Sequence, residues 1–184
     1  MKKHLTTLLA SIVFIAAALS YGCIPSSPID TPELSDVDTN LFTTNHPSLP
    51  DFTVLNIDGE STDLSDFWGK PIVINFWATW CGPCVMELPA FNAAYSEYGD
   101  TVTFLMVNLT DGVDETVDGV KSFVESNDYT FPIYYDTSFS AALAYEVSSI
   151  PLTLFIDKDG MLVRSQLGAM SKSKLFGYIE SLLG

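Results

Sequence analysis

The residues best placed to do chemistry in this 184-residue chain are two cysteines three apart, in the run Trp80-Cys81-Gly82-Pro83-Cys84. At i and i+3 in the first turn of a helix, two sulfurs lie on one face and can bond with little backbone movement. Pro83 suits such a turn, where its missing N–H is not needed. Free N–H groups and the positive end of the helix dipole there stabilise a thiolate at Cys81, and a thiolate is the species that attacks a disulfide. The spacing therefore makes Cys81 the exposed attacker and Cys84, one turn inward, the buried resolver of a mixed disulfide. A structural staple is the competing reading, but a four-residue ring restrains the unfolded chain by only about 2 kcal/mol. The redox group is the Cys81–Cys84 pair itself, with no further cofactor.

The elements around the motif give it context. Residues 71–77 are an apolar, β-branched run too short for a helix, read as a central strand buried on both faces. A helix is expected over 83–98, stopped by Gly99, so the motif sits where a strand hands over to a helix. Upstream, 52–62 alternates around Asp58-Gly59 as a hairpin, and 64–68 reads as one helical turn. Downstream come a strand at 102–108, a helix at 113–127, a strand at 132–135 and a helix at 139–147. Strands at 152–157 and 161–167 form a pair around Lys158-Asp159-Gly160, and an amphipathic helix covers 171–183. This order predicts a mixed α/β sandwich, one domain over residues 51–184.

The N-terminus reads as an address. Lys2 and Lys3 precede an apolar run over 5–19, shorter than the roughly 20 residues of a comfortable membrane span. Residues 1–22 are read as a signal peptide. The segment ends Leu19-Ser20-Tyr21-Gly22-Cys23 and resembles a bacterial lipoprotein signal, which implies acylation of Cys23; Ser20 and Tyr21 depart from the usual pattern. Residues 23–50 are rich in Pro, Ser, Thr and Asp, with Pro25, Pro28, Pro32, Pro47 and Pro50 blocking a continuous helix. They read as a lipid-anchored, solvated tether.

Composition excludes several classes. Hydrophobic residues at 47% are enough for a packed core, and a net charge of -15 repels phosphate backbones, so no nucleic acid partner is expected. The histidines, His4 and His46, fall outside the expected domain, so a four-ligand zinc site cannot be assembled inside it and no metal is expected.

The stretch Phe76-Trp77-Ala78-Thr79-Trp80-Cys81-Gly82-Pro83-Cys84 resembles the thioredoxin superfamily, more narrowly its TlpA/ResA-like thiol–disulfide oxidoreductases. The hairpin lead-in over 50–71, Asn75 in place of the aspartate of cytoplasmic thioredoxins, and a central αβ insertion over 110–131 also resemble that branch. The resemblance implies a thioredoxin-like fold, a central mixed sheet flanked by helices. It implies a proton-moving, tuning role for Glu87 in Glu87-Leu88-Pro89, and a cis Ile150–Pro151 bond beside the active-site sulfurs. Trp80, Gly82, Pro83, Ile150 and Pro151 are then the expected substrate contacts. It further implies a monomer held at the membrane by a lipid, on the periplasmic side or outer face. Its partners would be protein thiols and disulfides, apocytochrome c maturation being one such task, and a membrane thiol donor of CcdA/DsbD type.

Two alternatives stand beside this reading. A peroxiredoxin-like peroxidase shares the fold, but the P-x-x-x-T-x-x-C arrangement is absent, Thr79 lying two before Cys81. A non-catalytic lipoprotein could use the dithiol as a soft metal ligand.

Overall fold

A computed structural model describes residues 49–184. The expected signal segment, Cys23 and nearly all of the tether lie outside the described residues. Seven strands form one sheet in the order β2-β1-β5-β4-β3-β6-β7. The strands are β1 (Thr53–Leu55), β2 (Ser61–Asp63), β3 (Ile72–Trp77), β4 (Thr103–Asn108), β5 (Ile133–Tyr135), β6 (Leu152–Ile156) and β7 (Leu162–Leu167). β3 pairs parallel with β4 and antiparallel with β6, so the sheet is mixed and the fold is thioredoxin-like.

The strand alternation decides which residues meet. Every residue of β3 is buried, Asn75 included, as a central strand requires when both sheet faces are covered. Ile72, Ile74 and Phe76 join one core with Leu64 of the 3-10 turn Leu64–Phe67 and Ala141 of helix α3 (Ser140–Ala144). Val73 and Trp77 point the other way. There they pack with Leu88 and Phe91 of α1 (Gly82–Tyr98), Val120 and Val124 of α2 (Val117–Ser126), and Leu175 and Ile179 of α4 (Lys172–Leu183). Asn75 shares that second face, where an amide must find polar partners.

The two expected hairpins are present, and each turn carries a glycine with positive φ, Gly59 at 82° and Gly160 at 76°. Such angles favour a residue without Cβ. Two helices are shorter than their sequence pattern predicts. α2 begins at Val117 rather than 113, because the Asp111 carboxylate takes the N–H groups of Val113, Asp114 and Glu115. Thr116 then caps the helix, accepting the Gly119 N–H at 3.2 Å. Side chains that bind their own backbone compete with helix in this way. α3 covers only Ser140–Ala144, bounded by left-handed Phe139 and Glu146. The Asp136 carboxylate accepts the N–H groups of Ala141 and Ala142 at its start.

Candidate active site

β3 ends at Trp77, three residues turn the chain, and α1 opens at Gly82 with Cys81 as its N-cap and Pro83 inside the first turn. Cys81 and Cys84 are joined in a disulfide with Cα atoms 5.2 Å apart. The sulfur of Cys81 accepts the backbone N–H of Cys84 at 3.2 Å. That donor is one of the helix N–H groups without an intrahelical partner, and it lies where a thiolate at Cys81 would concentrate its charge.

The burial of the pair differs in part from expectation. Cys84 is wholly buried, as a resolver should be, but Cys81 is only 6% exposed. Its sulfur is turned toward Cys84 and lies 3.7 Å from the carbonyl oxygen of Ile150. Access is through a cavity of about 510 Å³ whose walls include Trp80, Gly82, Pro83, Leu109, Val147 and Ile150. Trp80 stands 63% exposed at its rim. The Ile150–Pro151 bond is cis, and Pro151 leads directly into β6. The residues expected to contact substrate thus surround one sulfur, with Pro151 itself buried behind Ile150.

Glu87 lies one turn beyond Cys84 on the inner face of α1, and the structure buries it more deeply than its sequence position suggests, at 2% exposure. One carboxylate oxygen accepts from Asn75 Nδ2 at 2.9 Å, the other from the Met170 N–H at 2.8 Å. Asn75 Nδ2 also donates to Thr153 Oγ1 at 3.0 Å, across the β3–β6 register that places these two residues side by side. Burial pushes the Glu87 carboxyl above its ordinary range, and the bonds from Met170 and Asn75 only partly oppose this. Such a carboxyl holds a proton at a higher pH than a solvated one.

Sequence reasoning missed a second buried carboxylate. Glu115, 2% exposed, accepts the Thr79 N–H at 2.7 Å, the Thr79 hydroxyl at 2.5 Å and Asn108 Nδ2 at 2.6 Å. It falls inside the stretch read as helix from 113, where an acidic residue looks like one more solvated position. Thr153 was likewise hidden inside an apolar strand. Among the described residues, no three or more His, Cys, Asp or Glu side chains are grouped closely enough to hold a metal.

Comparison with known proteins agrees with this geometry. The model of the AhpC/TSA family matches residues 47–165. A thiol-disulfide oxidoreductase ResA of Bacillus cereus (strain ZK / E33L) is 35% identical over 134 residues, spanning 72% of this chain and 75% of that one. Among solved structures, StoA from Bacillus subtilis has a TM-score of 0.62 at 28% identity, covering 72% of this chain and 99% of its own. Etrx1, the exposed lipoprotein thioredoxin of Streptococcus pneumoniae strain TIGR4, has a TM-score of 0.62 at 33% identity, with coverage of 72% and 99%.

Proposed function

This chain belongs to the AhpC/TSA family and, within it, to the ResA-like thiol–disulfide oxidoreductases, and from that premise we propose that it reduces protein disulfides outside the cytoplasm. The observation that carries the proposal is Cys81 at a helix N-cap, its sulfur held by the Cys84 N–H and facing a cavity beside the cis Ile150–Pro151 bond.

In the proposed cycle, reduced Cys81 attacks as thiolate on one sulfur of a substrate disulfide. A Cys81–substrate disulfide forms, the substrate's own S–S bond breaks, and the departing substrate sulfur takes a proton. Cys84 then loses its proton and attacks the Cys81 sulfur. The second substrate thiol leaves, the Cys81–Cys84 disulfide closes, and two electrons have passed to the substrate. Glu87 is the proton acceptor for Cys84. A membrane-embedded dithiol donor of CcdA/DsbD type returns the pair to the reduced state. Trp80, Gly82, Pro83 and Ile150 contact the substrate segment, and Pro151 holds the Ile150 carbonyl in place.

Location rests on the N-terminal pattern. The basic start, the apolar run and Cys23 support a lipid anchor on the outer side of the cytoplasmic membrane, and the likeness to an exposed lipoprotein thioredoxin favours the same placement. A tether to residue 50 would let the domain reach disulfides near the membrane, that of an oxidised apocytochrome c among them. The test is reduction of insulin disulfides by the reduced chain, with Cys81→Ala inactive. Tight stoichiometric copper(I) binding with no disulfide reduction would instead identify a metal carrier, and peroxide turnover with Cys84 removed would identify a peroxidase.

A further inference from the structure

Glu115 has no part in the exchange chemistry, yet it is one of the most tightly held side chains near the site. Its carboxylate gathers donors from two directions. From the turn before Cys81 come both the N–H and the hydroxyl of Thr79; from the end of β4 comes Asn108 Nδ2. Asn108 is fixed in turn, its Oδ1 accepting from the Thr110 hydroxyl at 2.7 Å. The residues just beyond these anchors are Trp80 and Leu109, which stand as walls of the cavity in front of Cys81. Leu109 is further tied to the strand end, its N–H donating to the Trp77 carbonyl at 3.0 Å. One buried carboxylate therefore fastens two backbone segments that each carry a lining residue of the groove.

We infer that Glu115 is a positioning residue for protein substrates, clamping the Thr79 turn to the end of β4 and so fixing the separation of Trp80 and Leu109. This rests on the disulfide-exchange reading above. The clamp acts on the groove, while the Cys81 sulfur takes its own hydrogen bond from Cys84 within α1. A substrate large enough to touch both walls should feel the loss of the clamp, and a small disulfide that meets only the sulfur should not.

Glutamine fits the same place. Its carbonyl oxygen can accept from Thr79 N–H and Asn108 Nδ2, and its amide nitrogen can donate to the Thr79 hydroxyl, which then serves as acceptor. Alanine leaves the part-buried Thr79 N–H and the buried Asn108 amide without their partner.

The experiment compares the native chain, Glu115→Gln, Glu115→Ala and Thr79→Val, all reduced, in two reactions. One is reduction of insulin, the other reaction with 5,5′-dithiobis(2-nitrobenzoate). Glu115→Ala should lower the insulin rate constant about tenfold, equivalent to about 1.4 kcal/mol, and change the small-disulfide rate less than about twofold. Glu115→Gln should stay within about twofold of native in both. Thr79→Val, which keeps the N–H bond and loses the hydroxyl, should fall between, and it decides the matter should Glu115→Ala not fold. The inference is overturned by native insulin rates in Glu115→Ala, or in Thr79→Val where Thr79→Val stands in. It is overturned equally by matching losses with both disulfides, or by a Glu115→Gln as slow as the alanine variant. A native chain that reduces the small disulfide but not insulin removes the protein-substrate reading and this inference with it.

Discussion

Replacing Asn75 by aspartate tests the buried polar cluster behind the cysteines. The substitution puts a carboxylate oxygen where Asn75 Nδ2 now sits, 2.9 Å from a Glu87 oxygen. Two full negative charges at that distance repel by about 6 kcal/mol at an effective dielectric of 20. The pair will instead keep one shared proton through neutral pH, as close carboxylates do. In the unfolded chain both groups ionise in the ordinary carboxylate range, so the folded variant holds about one more proton than the unfolded one. A folded-state pKa raised in this way gives stability that is complete in acid and lost as pH rises. The variant's own stability should fall by up to about 1.4 kcal/mol per pH unit, or about 4 kcal/mol between pH 5 and 8, and the excess over native is smaller wherever native Glu87 itself still holds a proton. That is a large share of the 5–15 kcal/mol typical of a domain. Urea unfolding of oxidised native and Asn75→Asp proteins at pH 5, 6, 7 and 8 measures it directly. A stability difference that stays flat with pH would refute the reasoning, since the two side chains could not then be in contact.

Further substitutions probe the same site and its supports. Cys84→Ala should stall exchange after the first attack and accumulate a covalent adduct through Cys81, visible by mass under non-reducing conditions; release of free substrate thiol without adduct would contradict the assigned order. Glu87→Gln should slow resolution of that adduct about a hundredfold. The raised pKa of native Glu87 comes chiefly from burial, so its stability contribution fades as pH rises out of the ordinary carboxylate range. The glutamine variant should therefore gain on native from pH 4 to 8 in urea melts, and unchanged turnover with no such trend would return Glu87 to a passive role. Phe91→Ala empties a fully buried site on α1 and should cost about 3–5 kcal/mol in the same assay; less than 1 would mean that the core there is loose. Cys23→Ala should release the protein from the membrane fraction, and equal membrane association would remove the lipid anchor.

Much of the fold was legible because its strands advertise themselves. β3 and β4 are six-residue stretches dominated by apolar residues, and such stretches have few other homes than a sheet covered on both faces. The motif at Cys81 was legible for a related reason, since it lay between a strand signal and a helix signal. The start of α2 and the end of α3 were not. The apolar pattern runs past each, and only the fold reveals that Asp111 has taken the N–H groups a longer α2 would use and that the chain leaves α3 through left-handed Glu146. Glu115 was missed for the same cause, because its loop folds back onto Thr79, a contact 36 residues away. The depth of Glu87 depends on Met170 closing over it from 83 residues away. Local pattern finds the helix face a residue occupies, but not what later chain will cover it.

Every step of the proposed cycle requires the sulfur of Cys81 to be the reactive one. Reduced, folded protein treated briefly with iodoacetamide across pH 5 to 9, then digested and weighed, reports each cysteine separately. Alkylation confined to Cys81, already rapid at pH 7 and following a single ionisation, with Cys84 reacting only after unfolding, is the predicted result. Equal labelling of both cysteines, or none of Cys81 at neutral pH, would contradict it.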